Sequence, residues 1–422
     1  MEKVATFLEN TPIPKMVKVR QYFDDNRILN LPDTVRKVLR ESGLLNSLYP
    51  GMRVAITAGS RGIANIAQIT RIVVEEISLT GAAPFIVPAM GSHGGANAEG
   101  QRQVLESLGI TSENMGCPIF SSMRVSKIGV TEDGQPVYLD ANAAEADGIV
   151  LINRVKAHTS FTGSYESGLM KMMAIGLGKR EGADICHQDG HGRMAENVNK
   201  FGKAVLKHAK ILFGLALIEN AYNQTCDIVP LPPEEILEQE PILLKKSKSL
   251  MASILFSNVD VLVVDRMGKN ISGLGMDPHV TGSFVSIYAT GPPRPSKLVV
   301  LDLTPETHGN GTGIGVADIT TRQLVDKIDF EATYFNCFTA AMPQAARIPV
   351  VMSNHKLAIQ CAIKTAPGFN KEKIRLIRLS DTLHLDEIEI SQTLLDDARD
   401  RPDIDIISDP YDLVFDEAGN LF

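Results

Sequence analysis

The chain has 422 residues, 44% of them hydrophobic and 22% charged, which is typical of globular proteins and long enough for two domains. Its formal net charge of −8, with no block of like charges, argues against a nucleic-acid-binding surface, because such a surface requires a basic stripe. No apolar run reaches the ~18 residues of a membrane helix. Acidic residues and prolines stand near the N-terminus, where a signal peptide would be apolar, and the five cysteines are scattered along the chain. We therefore expect a cytoplasmic protein with reduced thiols and no membrane partner.

From Met52 onward, strand-like and helix-like segments alternate, which predicts a parallel sheet with right-handed crossovers. The predicted elements, in chain order, are strand Arg53–Thr57, helix Ile63–Thr80, strand Pro84–Pro88, helix Ala98–Leu108, a hairpin within Val125–Asp140 that turns at Asp133-Gly134, and strands Gly148–Asn153 and Ala209–Ile218. The hairpin interrupts the α/β order and is therefore predicted to be an insertion.

The segment Pro230–Pro241 is rich in proline and glutamate and is interpreted as a connection between domains. The predicted elements beyond it are helix Leu243–Leu255, strands Val259–Asp265 and Lys297–Leu303, and helices Asp318–Lys327, Phe335–Met342 and Lys356–Lys364. We expect an α/β fold of two domains, residues 1–245 and 246–395, with mostly parallel sheets and the inserted hairpin. The tail, residues 396–422, is expected to pack back on the first domain, and the active site is expected in the interdomain cleft.

Three polar, glycine-containing segments follow predicted strands of the first domain: Ala58–Asn65, Gly91–Asn97 and Ala157–His191. Because carboxyl ends of parallel strands meet at one edge of a sheet, Arg61, His93 and His158 are expected to converge. A guanidinium binds a carboxylate through two hydrogen bonds and an imidazole titrates near neutral pH, so the three predict an anion site flanked by proton-transfer groups. The alternative is that each is a hydrated loop residue.

Lys171 lies in an otherwise apolar run, Leu169–Ile175, where desolvation would make its amine nucleophilic; alternatively it extends from a helix into water. His187 and His191 have the HxxxH spacing of two metal ligands on one helix face. Gly190 and Gly192 argue against a regular helix there, and the glutamate of the zinc-protease motif is absent.

Two glycine-rich segments, Ile175–Arg180 and Thr307–Asp318, satisfy neither the P-loop nor the dinucleotide-binding spacing, and the second is predicted to be a loop. In a further loop of the second domain, Lys269, Asp277 and His279 could face the first domain across a cleft, or they could be hydrated loop residues.

These motifs resemble the nickel-dependent lactate racemase family, whose members carry a nickel pincer nucleotide, a pyridinium mononucleotide with sulfur groups that hold the metal. Gly91-Ser92-His93 is similar to the family's Gly-Thr-His loop, and Ala157-His158 to the motif of its second catalytic histidine. The segment Ser167–Lys171 resembles the Ser-Gly-Gly-x-Lys motif that carries the cofactor as a thioamide. His187 stands where the nickel-ligating histidine would be, and Gly59-Ser60-Arg61 where an arginine holds the substrate carboxylate.

The resemblance implies a racemase or epimerase of 2-hydroxy acids that works by reversible hydride transfer. His93 and His158 would be the catalytic acid/base pair, His187 the metal ligand, and Lys171 the residue covalently attached to the cofactor. Ser167, Gly168, Gly94 and Gly95 would bind the cofactor, and Arg61, Lys269, Asp277 and His279 the substrate. The implied partners are a small-molecule substrate and cofactor-synthesis proteins, and a homo-oligomer is possible.

The chain also departs from the lactate enzymes. His158 and Lys171 are three residues further apart than expected, with Glu166 in the insertion, and Ile175–Gly178 replaces the usual Pro-Gly. The Tyr-Gln element of the second domain is absent, and Asp277-Pro278-His279 stands near its place. A larger or more polar 2-hydroxy acid is therefore expected as substrate. The alternatives are a zinc-dependent hydrolase or lyase that uses His158, His187 and His191, and a homologue that binds a nucleotide without racemase activity.

Overall fold

A computed structural model describes residues 2–60, 62–368 and 370–422. The strands are β1 (Met16–Gln21), β2 (Arg53–Ala58), β3 (Ala83–Pro88), β4 (Val125–Val130), β5 (Pro136–Asp140), β6 (Gly148–Arg154), β7 (Ile211–Glu219), β8 (Thr225–Leu231), β9 (Val261–Met267), β10 (Lys297–Leu303), β11 (Ile319–Thr321), β12 (Val350–Met352), β13 (Leu376–Leu379), β14 (Glu387–Ser391) and β15 (Ile404–Ile406). The α-helices are α1 (Glu2–Leu8), α2 (Leu31–Glu41), α3 (Ile66–Leu79), α4 (Ala98–Ser107), α5 (Ser112–Met115), α6 (Ala141–Ala144), α7 (Leu169–Lys171), α8 (Lys179–His187), α9 (Met194–His208), α10 (Pro233–Ser249), α11 (Pro278–Thr281), α12 (Arg322–Asp326), α13 (Phe330–Thr339), α14 (His355–Thr365) and α15 (Leu395–Arg399). Within these described ranges, no helix is both long and apolar enough to cross a membrane.

The chain divides into two compact units, one formed by Asp24–Met251 and the other by Met1–Phe23 with Ala252–Phe422. The division after Met251 lies six residues beyond the boundary expected at 245. Residues 1–23 were expected in the first domain, but they group with Ala252–Phe422. The reason is strand pairing: β1 lies antiparallel to β14, with Val17 opposite Ile390.

The unit Asp24–Met251 is built on a sheet of order β3-β2-β6-β7-β8, in which the first four strands are parallel and β8 is antiparallel. Its strands are nearly continuous apolar runs because helices cover both faces of the sheet. Along β2, Ala55 joins the core on one face, whereas Val54 and Ile56 join the core on the other. The predicted parallel α/β sheet is confirmed.

The inserted hairpin is also confirmed, as β4 and β5 pair antiparallel with Val125 opposite Asp140. Its turn is closed by the Thr131 amide, which donates to the Gln135 carbonyl at 2.8 Å. Gly134 adopts φ of 82° in this turn, a left-handed conformation that favours glycine.

The unit of Met1–Phe23 and Ala252–Phe422 contains a sheet of order β12-β11-β10-β9-β13-β14-β1-β15. The strands from β12 to β13 are parallel, and those from β14 to β15 are antiparallel to their neighbours. The helix predicted at Asp318–Lys327 is wrong in its first part, where β-branched residues form β11. The helix begins only at Arg322, and the Thr321 hydroxyl accepts a hydrogen bond from the Leu324 amide at 3.1 Å.

The tail, residues 396–422, belongs to the unit of Met1–Phe23 and Ala252–Phe422, and within the expected first domain it contacts the strand β1. Its strand β15 pairs with β1, with Val19 opposite Ile406, and Tyr411 forms a further bridge with Met16. The tail therefore completes the edge of the sheet that β1 enters. A sequence pattern does not show which sheet a short edge strand will join.

The segment Pro230–Pro241, predicted to be a connection, forms the end of β8 and the first half of α10. Pro233 occupies the first turn of the helix, where a missing N–H costs nothing. Pro241 lies inside the helix and has no N–H to donate to the Leu237 carbonyl. The Tyr165 hydroxyl donates to that carbonyl instead, at 2.7 Å, so a side chain from another segment satisfies the helix.

Candidate active site

Three loops leave the carboxyl ends of β2, β3 and β6 in the unit Asp24–Met251: residues 59–65, 89–97 and 155–168. The Gly91 amide of the loop after β3 donates at 3.1 Å to the carbonyl of Gly176, which ends the helical segment Leu169–Gly176 that contains Lys171. The Asn153 side chain of β6 donates at 2.8 Å to the carbonyl of Gly168, the last residue of the loop after β6. The loop after β3 therefore contacts the helical segment that follows the loop after β6.

His93 is exposed, and its ring Nδ1 shares a hydrogen bond with the Ser60 hydroxyl of the loop after β2. This contact brings two of the three loops together. A hydroxyl can donate to a bare nitrogen or accept from an N–H, so either neutral tautomer of His93 satisfies the contact. Arg61, the residue expected to hold a carboxylate, lies outside the described residues.

A buried polar network supports the His93 loop. Gln101 of α4 donates to the carbonyls of Gly91 at 2.8 Å and His93 at 3.2 Å. Its side-chain oxygen accepts from the Lys179 ammonium at 3.0 Å, and Lys179 forms an ion pair with Asp140 at 3.1 Å. Lys179 and Asp140 are both fully buried. Burial lowers the pKa of Lys179, and Asp140 opposes that shift.

The glycines expected at the cofactor in this loop have a structural role. Gly94 and Gly95 adopt φ of 65° and 67°, in the left-handed region that favours glycine. A Cβ at Gly94 would lie 2.7 Å from the Gln101 amide nitrogen, so the loop packs closely against α4. Cofactor binding by either glycine remains a prediction.

The loop after β6 is closed at its base by two hydrogen bonds between Lys156 and Ser167, of 2.8 and 3.1 Å. His158 lies within this closed loop, and its ring stacks on Phe161 with centroids 4.2 Å apart. The Ser160 amide donates to His158 Nδ1 at 3.1 Å. An amide only donates, so the neutral imidazole in this arrangement carries its hydrogen on Nε2.

Glu166 holds the backbone of the His158 loop from inside. One carboxylate oxygen accepts from the His158 amide at 2.7 Å, and the other accepts from the Gly163 amide at 3.1 Å. The second oxygen also accepts from Lys248 of α10 at 2.6 Å. The Glu166 side chain is fully buried, so the insertion that distinguishes this chain from the lactate enzymes contributes an internal brace for His158.

The segment that contains Lys171 is held by a second acidic residue of α10. The buried Glu240 carboxylate accepts from the Met170 amide at 3.0 Å, and Leu169 donates a further backbone hydrogen bond. A Cβ at Gly168 would lie 2.3 Å from Glu240 Oε1, which accounts for the glycine. Burial raises the pKa of Glu240 to about 7, against the two backbone hydrogen bonds. The Glu240 carboxylate thus holds the start of the helical turn that contains Lys171.

His187 is the last residue of α8, and its Nδ1 lies 2.6 Å from the Ala183 carbonyl. A carbonyl only accepts, so Nδ1 carries the hydrogen and the neutral ring presents a lone pair at Nε2. Although the side chain is exposed, desolvation by the surrounding protein lowers the pKa of His187, and the charges of Lys171 and His191 lower it further. The ring is therefore kept neutral with one lone pair, the state in which histidine binds metals.

His191 does not share a helix with His187. After α8 the chain turns at Gly190, which has φ of 76°, and His191 begins a separate 3₁₀ turn. Among the residues that the structure describes, no group of three or more His, Cys, Asp or Glu side chains is arranged to hold a metal ion. The three-ligand zinc site considered for His158, His187 and His191 is therefore not formed.

The substrate residues expected in the second domain make local contacts. The Lys269 ammonium donates to the Gly273 carbonyl at 2.8 Å. Asp277 accepts from the His279 amide at 2.9 Å at the start of α11, and the His279 ring contacts Phe284 edge-on at 5.3 Å between centroids. Their role in substrate binding remains a prediction.

The residues that support the site were missed in the sequence, and two of them lie on α10. Residues 233–249 carry proline and glutamates in the first turn and lysines in the last, a pattern typical of a helix aligned with its dipole. The interpretation of Pro230–Pro241 as a connection concealed Glu240, whereas Lys248 lay in the predicted helix Leu243–Leu255 with no local signal that its partner is Glu166. Lys179 was considered only as part of a failed P-loop motif, and no local signal shows that its partner is Asp140.

Residues 27–200 match the family described as the lactate racemase N-terminal domain. The fold is similar to a protein from Thermotoga maritima, at 15% identity over 64% of this chain and 70% of that one, with a TM-score of 0.48. It is also similar to the lactate racemase apoprotein from Thermoanaerobacterium thermosaccharolyticum, at 13% identity over 68% and 74% of the two chains, with a TM-score of 0.45. Neither likeness bears on function at these scores, and no curated protein matches significantly. The similarity to the lactate racemase N-terminal domain family thus covers residues 27–200, which is less than half of the chain.

Proposed function

We propose that the protein is a racemase or epimerase that inverts the C2 stereocentre of a 2-hydroxy acid with a nickel pincer nucleotide attached to Lys171. The family of residues 27–200 supports a lactate racemase-like activity. The single observation that carries the finer proposal is the state of His187, whose Nδ1 donates to the Ala183 carbonyl and whose pKa is lowered by desolvation and, less, by the charge of Lys171. These are the properties that the proposed metal ligand would need.

The residues present fit the proposed group. The charge of Lys171 contributes to lowering the pKa of His187, and the donation of Nδ1 to Ala183 leaves Nε2 of the neutral ring as the nitrogen that could bind a metal. Loss of the ammonium charge in a thioamide would remove one cause that lowers the pKa of His187, while desolvation would remain. Imidazole nitrogen is a suitable ligand for nickel. Lys171 would hold the group covalently and His187 would ligate its metal.

When bound, the pincer nucleotide supplies a reversible hydride acceptor. The work of the chain is to hold the substrate and to move the hydroxyl proton. His93 and His158 are the two imidazoles of the converging loops, and each can exchange a hydrogen bond with the oxygen on C2. Arg61 would hold the carboxylate, which keeps the planar keto acid in place while its other face is presented. Lys269, Asp277 and His279 are proposed to contact the remainder of a larger or more polar substrate.

The proposal carries expectations about the surroundings of the protein. A cytoplasmic enzyme that depends on this group requires cofactor-synthesis proteins in the same cell. A homo-oligomer is compatible with the proposal. A homologue that binds a nucleotide without inverting any hydroxy acid is the remaining alternative, and it is distinguished by the experiment below.

The experiment compares the wild-type protein with Lys171→Ala, both purified from the native host. We expect intact-mass spectrometry to find a nickel-containing adduct on the wild type and none on the variant. The loaded wild type is then given a panel of 2-hydroxy acids in heavy water. We expect one enantiomer to be converted into the other with its own hydrogen retained at C2.

Lys246→Ala is the matched control, because the Lys246 ammonium pairs with Asp227 at 2.6 Å and Lys246 is none of the proposed site residues. It should keep both the adduct and the activity. Full activity in Lys171→Ala would refute the covalent attachment. An adduct without any racemisation would support the nucleotide-binding alternative.

A further inference from the structure

The carboxylate of Glu166 is buried directly beneath the His158 loop, where it contacts no residue of the proposed metal site. Its two oxygens accept from the amides of His158 and Gly163. Those amides lie on opposite sides of the turn that contains Ser160. Because the carboxylate binds both sides at once, it determines how tightly residues 158–163 are folded.

The position of Ser160 determines the hydrogen-bonding state of the His158 ring. The Ser160 amide donates to His158 Nδ1 at 3.1 Å, and this contact requires the tight turn. The stacking of the His158 ring on Phe161, also within the turn, keeps the ring in the same plane. With Nδ1 occupied as an acceptor, a neutral ring has its hydrogen on Nε2.

We propose that Glu166 is a positioning residue that holds His158 as the Nε2–H tautomer, so that His158 meets a bound substrate oxygen as a hydrogen-bond donor. The role assigned to the substrate oxygen rests on the proposed function, whereas the tautomer does not. For His158 to accept a proton at Nε2, Nδ1 must carry a hydrogen and the Ser160 contact must open. At His93 the Nδ1 partner is the Ser60 hydroxyl, which can donate or accept, so that contact permits either neutral tautomer.

The proposal divides the two imidazoles by role. His93 is the ring that can take the hydroxyl proton from the resting state, and His158 is the ring that polarises the same oxygen as a neutral donor. Neutral histidine in this role is known in enzymes that polarise a carbonyl oxygen. Glu166 acts only through His158, since its carboxylate is fully buried.

Lys248 provides a matched control. It contacts Glu166 at 2.6 Å from α10 but touches neither His158 nor Gly163 in the hydrogen bonds of the loop. Lys248→Met removes the ion pair and leaves both amide contacts available. Glu166→Gln preserves the shape but replaces one accepting oxygen with an NH₂ group, so one of the two amides loses its acceptor.

The experiment is a two-bond ¹H–¹⁵N NMR measurement on ¹⁵N-histidine-labelled full-length protein at about pH 8, where most imidazoles are neutral. Wild-type His158 should show a bare Nδ1 and a protonated Nε2. His187 should show the opposite tautomer, because its Nδ1 donates to Ala183, and it serves as the internal reference. Glu166→Gln should give a mixture of tautomers at His158 and no change at His187, whereas Lys248→Met should leave both histidines as in wild type.

A wild-type His158 with its hydrogen on Nδ1 would overturn the proposal, and so would an unchanged tautomer in Glu166→Gln. If that variant does not fold, hydrogen exchange of the wild-type Ser160 amide decides. Protection of about tenfold or more over an unstructured amide is expected, and exchange at the unstructured rate would overturn the proposal. These readouts do not require racemase activity, so failure of the proposed function and failure of this inference give different results.

Discussion

The two loops that carry His93 and His158 are held in a similar way, but their imidazoles have different partners. Each loop rests on a buried charged group, the Lys179–Asp140 pair in one case and Glu166 in the other. At the rings, His93 contacts a hydroxyl that can donate or accept, whereas His158 accepts from a backbone amide that can only donate. Loops held in similar ways can therefore present their imidazoles to partners of different hydrogen-bonding capacity.

The largest expected effect comes from removing either ring. His93→Ala and His158→Ala should each lower the rate of inversion by about 10²–10⁴-fold, because the first removes a proton-transfer group and the second removes a donor to the substrate oxygen. The measurement is the initial rate of racemisation by the loaded enzyme. Ser60→Ala is the control, because it removes only the hydroxyl partner of His93 and should have a smaller effect. Inversion at the wild-type rate by either alanine variant would remove that histidine from the mechanism.

The support beneath the His93 loop is tested by Lys179→Met. This change leaves the Asp140 carboxylate buried without its cation and should lower the free energy of unfolding by about 3–5 kcal/mol. Urea unfolding followed by circular dichroism measures the loss. Asp140→Asn combined with Lys179→Met removes both charges and should recover part of it. A single variant as stable as the wild type would show that the ion pair does not brace this loop.

The pH dependence of stability tests the role of Glu240, which holds the helical segment Leu169–Gly176 through the Met170 amide. The pKa of Glu240 rises from 4.5 to about 7 on burial, so its carboxyl is protonated more readily in the folded state. The stabilisation that the protonated Glu240 provides is complete below about pH 4.5 and is lost as the pH rises through about 7. The free energy of unfolding falls by on the order of 3 kcal/mol over this range.

Glu240→Gln should remove this dependence, because an amide does not titrate. Unfolding free energies of wild type and variant, measured from about pH 5 to about pH 8, should diverge in favour of the variant as the pH rises. Titrating histidines are common to both proteins and cancel in the difference. Parallel curves would contradict the raised pKa.

The smallest effect is expected where the His158 loop meets α10. Tyr165→Phe removes the donor to the Leu237 carbonyl and should lower the free energy of unfolding by about 1 kcal/mol. Pro241→Ala provides a direct control, because it restores an N–H at position 241 that can donate to the Leu237 carbonyl within the helix. In that background Tyr165→Phe should cost less, and equal costs in both backgrounds would show that the hydroxyl does not replace the missing helical donor.

Part of the fold and site could be predicted from local patterns. The strands β2, β3, β6 and β10 consist mostly of apolar residues, and such strands follow from burial on both faces of a parallel sheet. His93, His158, Lys171 and His187 were singled out by their motifs and spacing, and their roles remain predictions. The strand β1 and the first half of the helix α10 were not recognised, because one is defined by its partner and the other contains an internal proline.

The sequence by itself determined the α/β class, the positions of the polar loops and the residue types available for chemistry, because each depends on neighbours within a few positions. Tertiary structure alone decided which atoms those residues contact. Glu166 and Lys248 are 82 residues apart in the chain, and Lys179 and Gln101 are 78 apart. Hydrogen bonds between such distant groups form only when the sheet and helices have packed, and they determine the hydrogen-bonding state of the candidate catalytic rings.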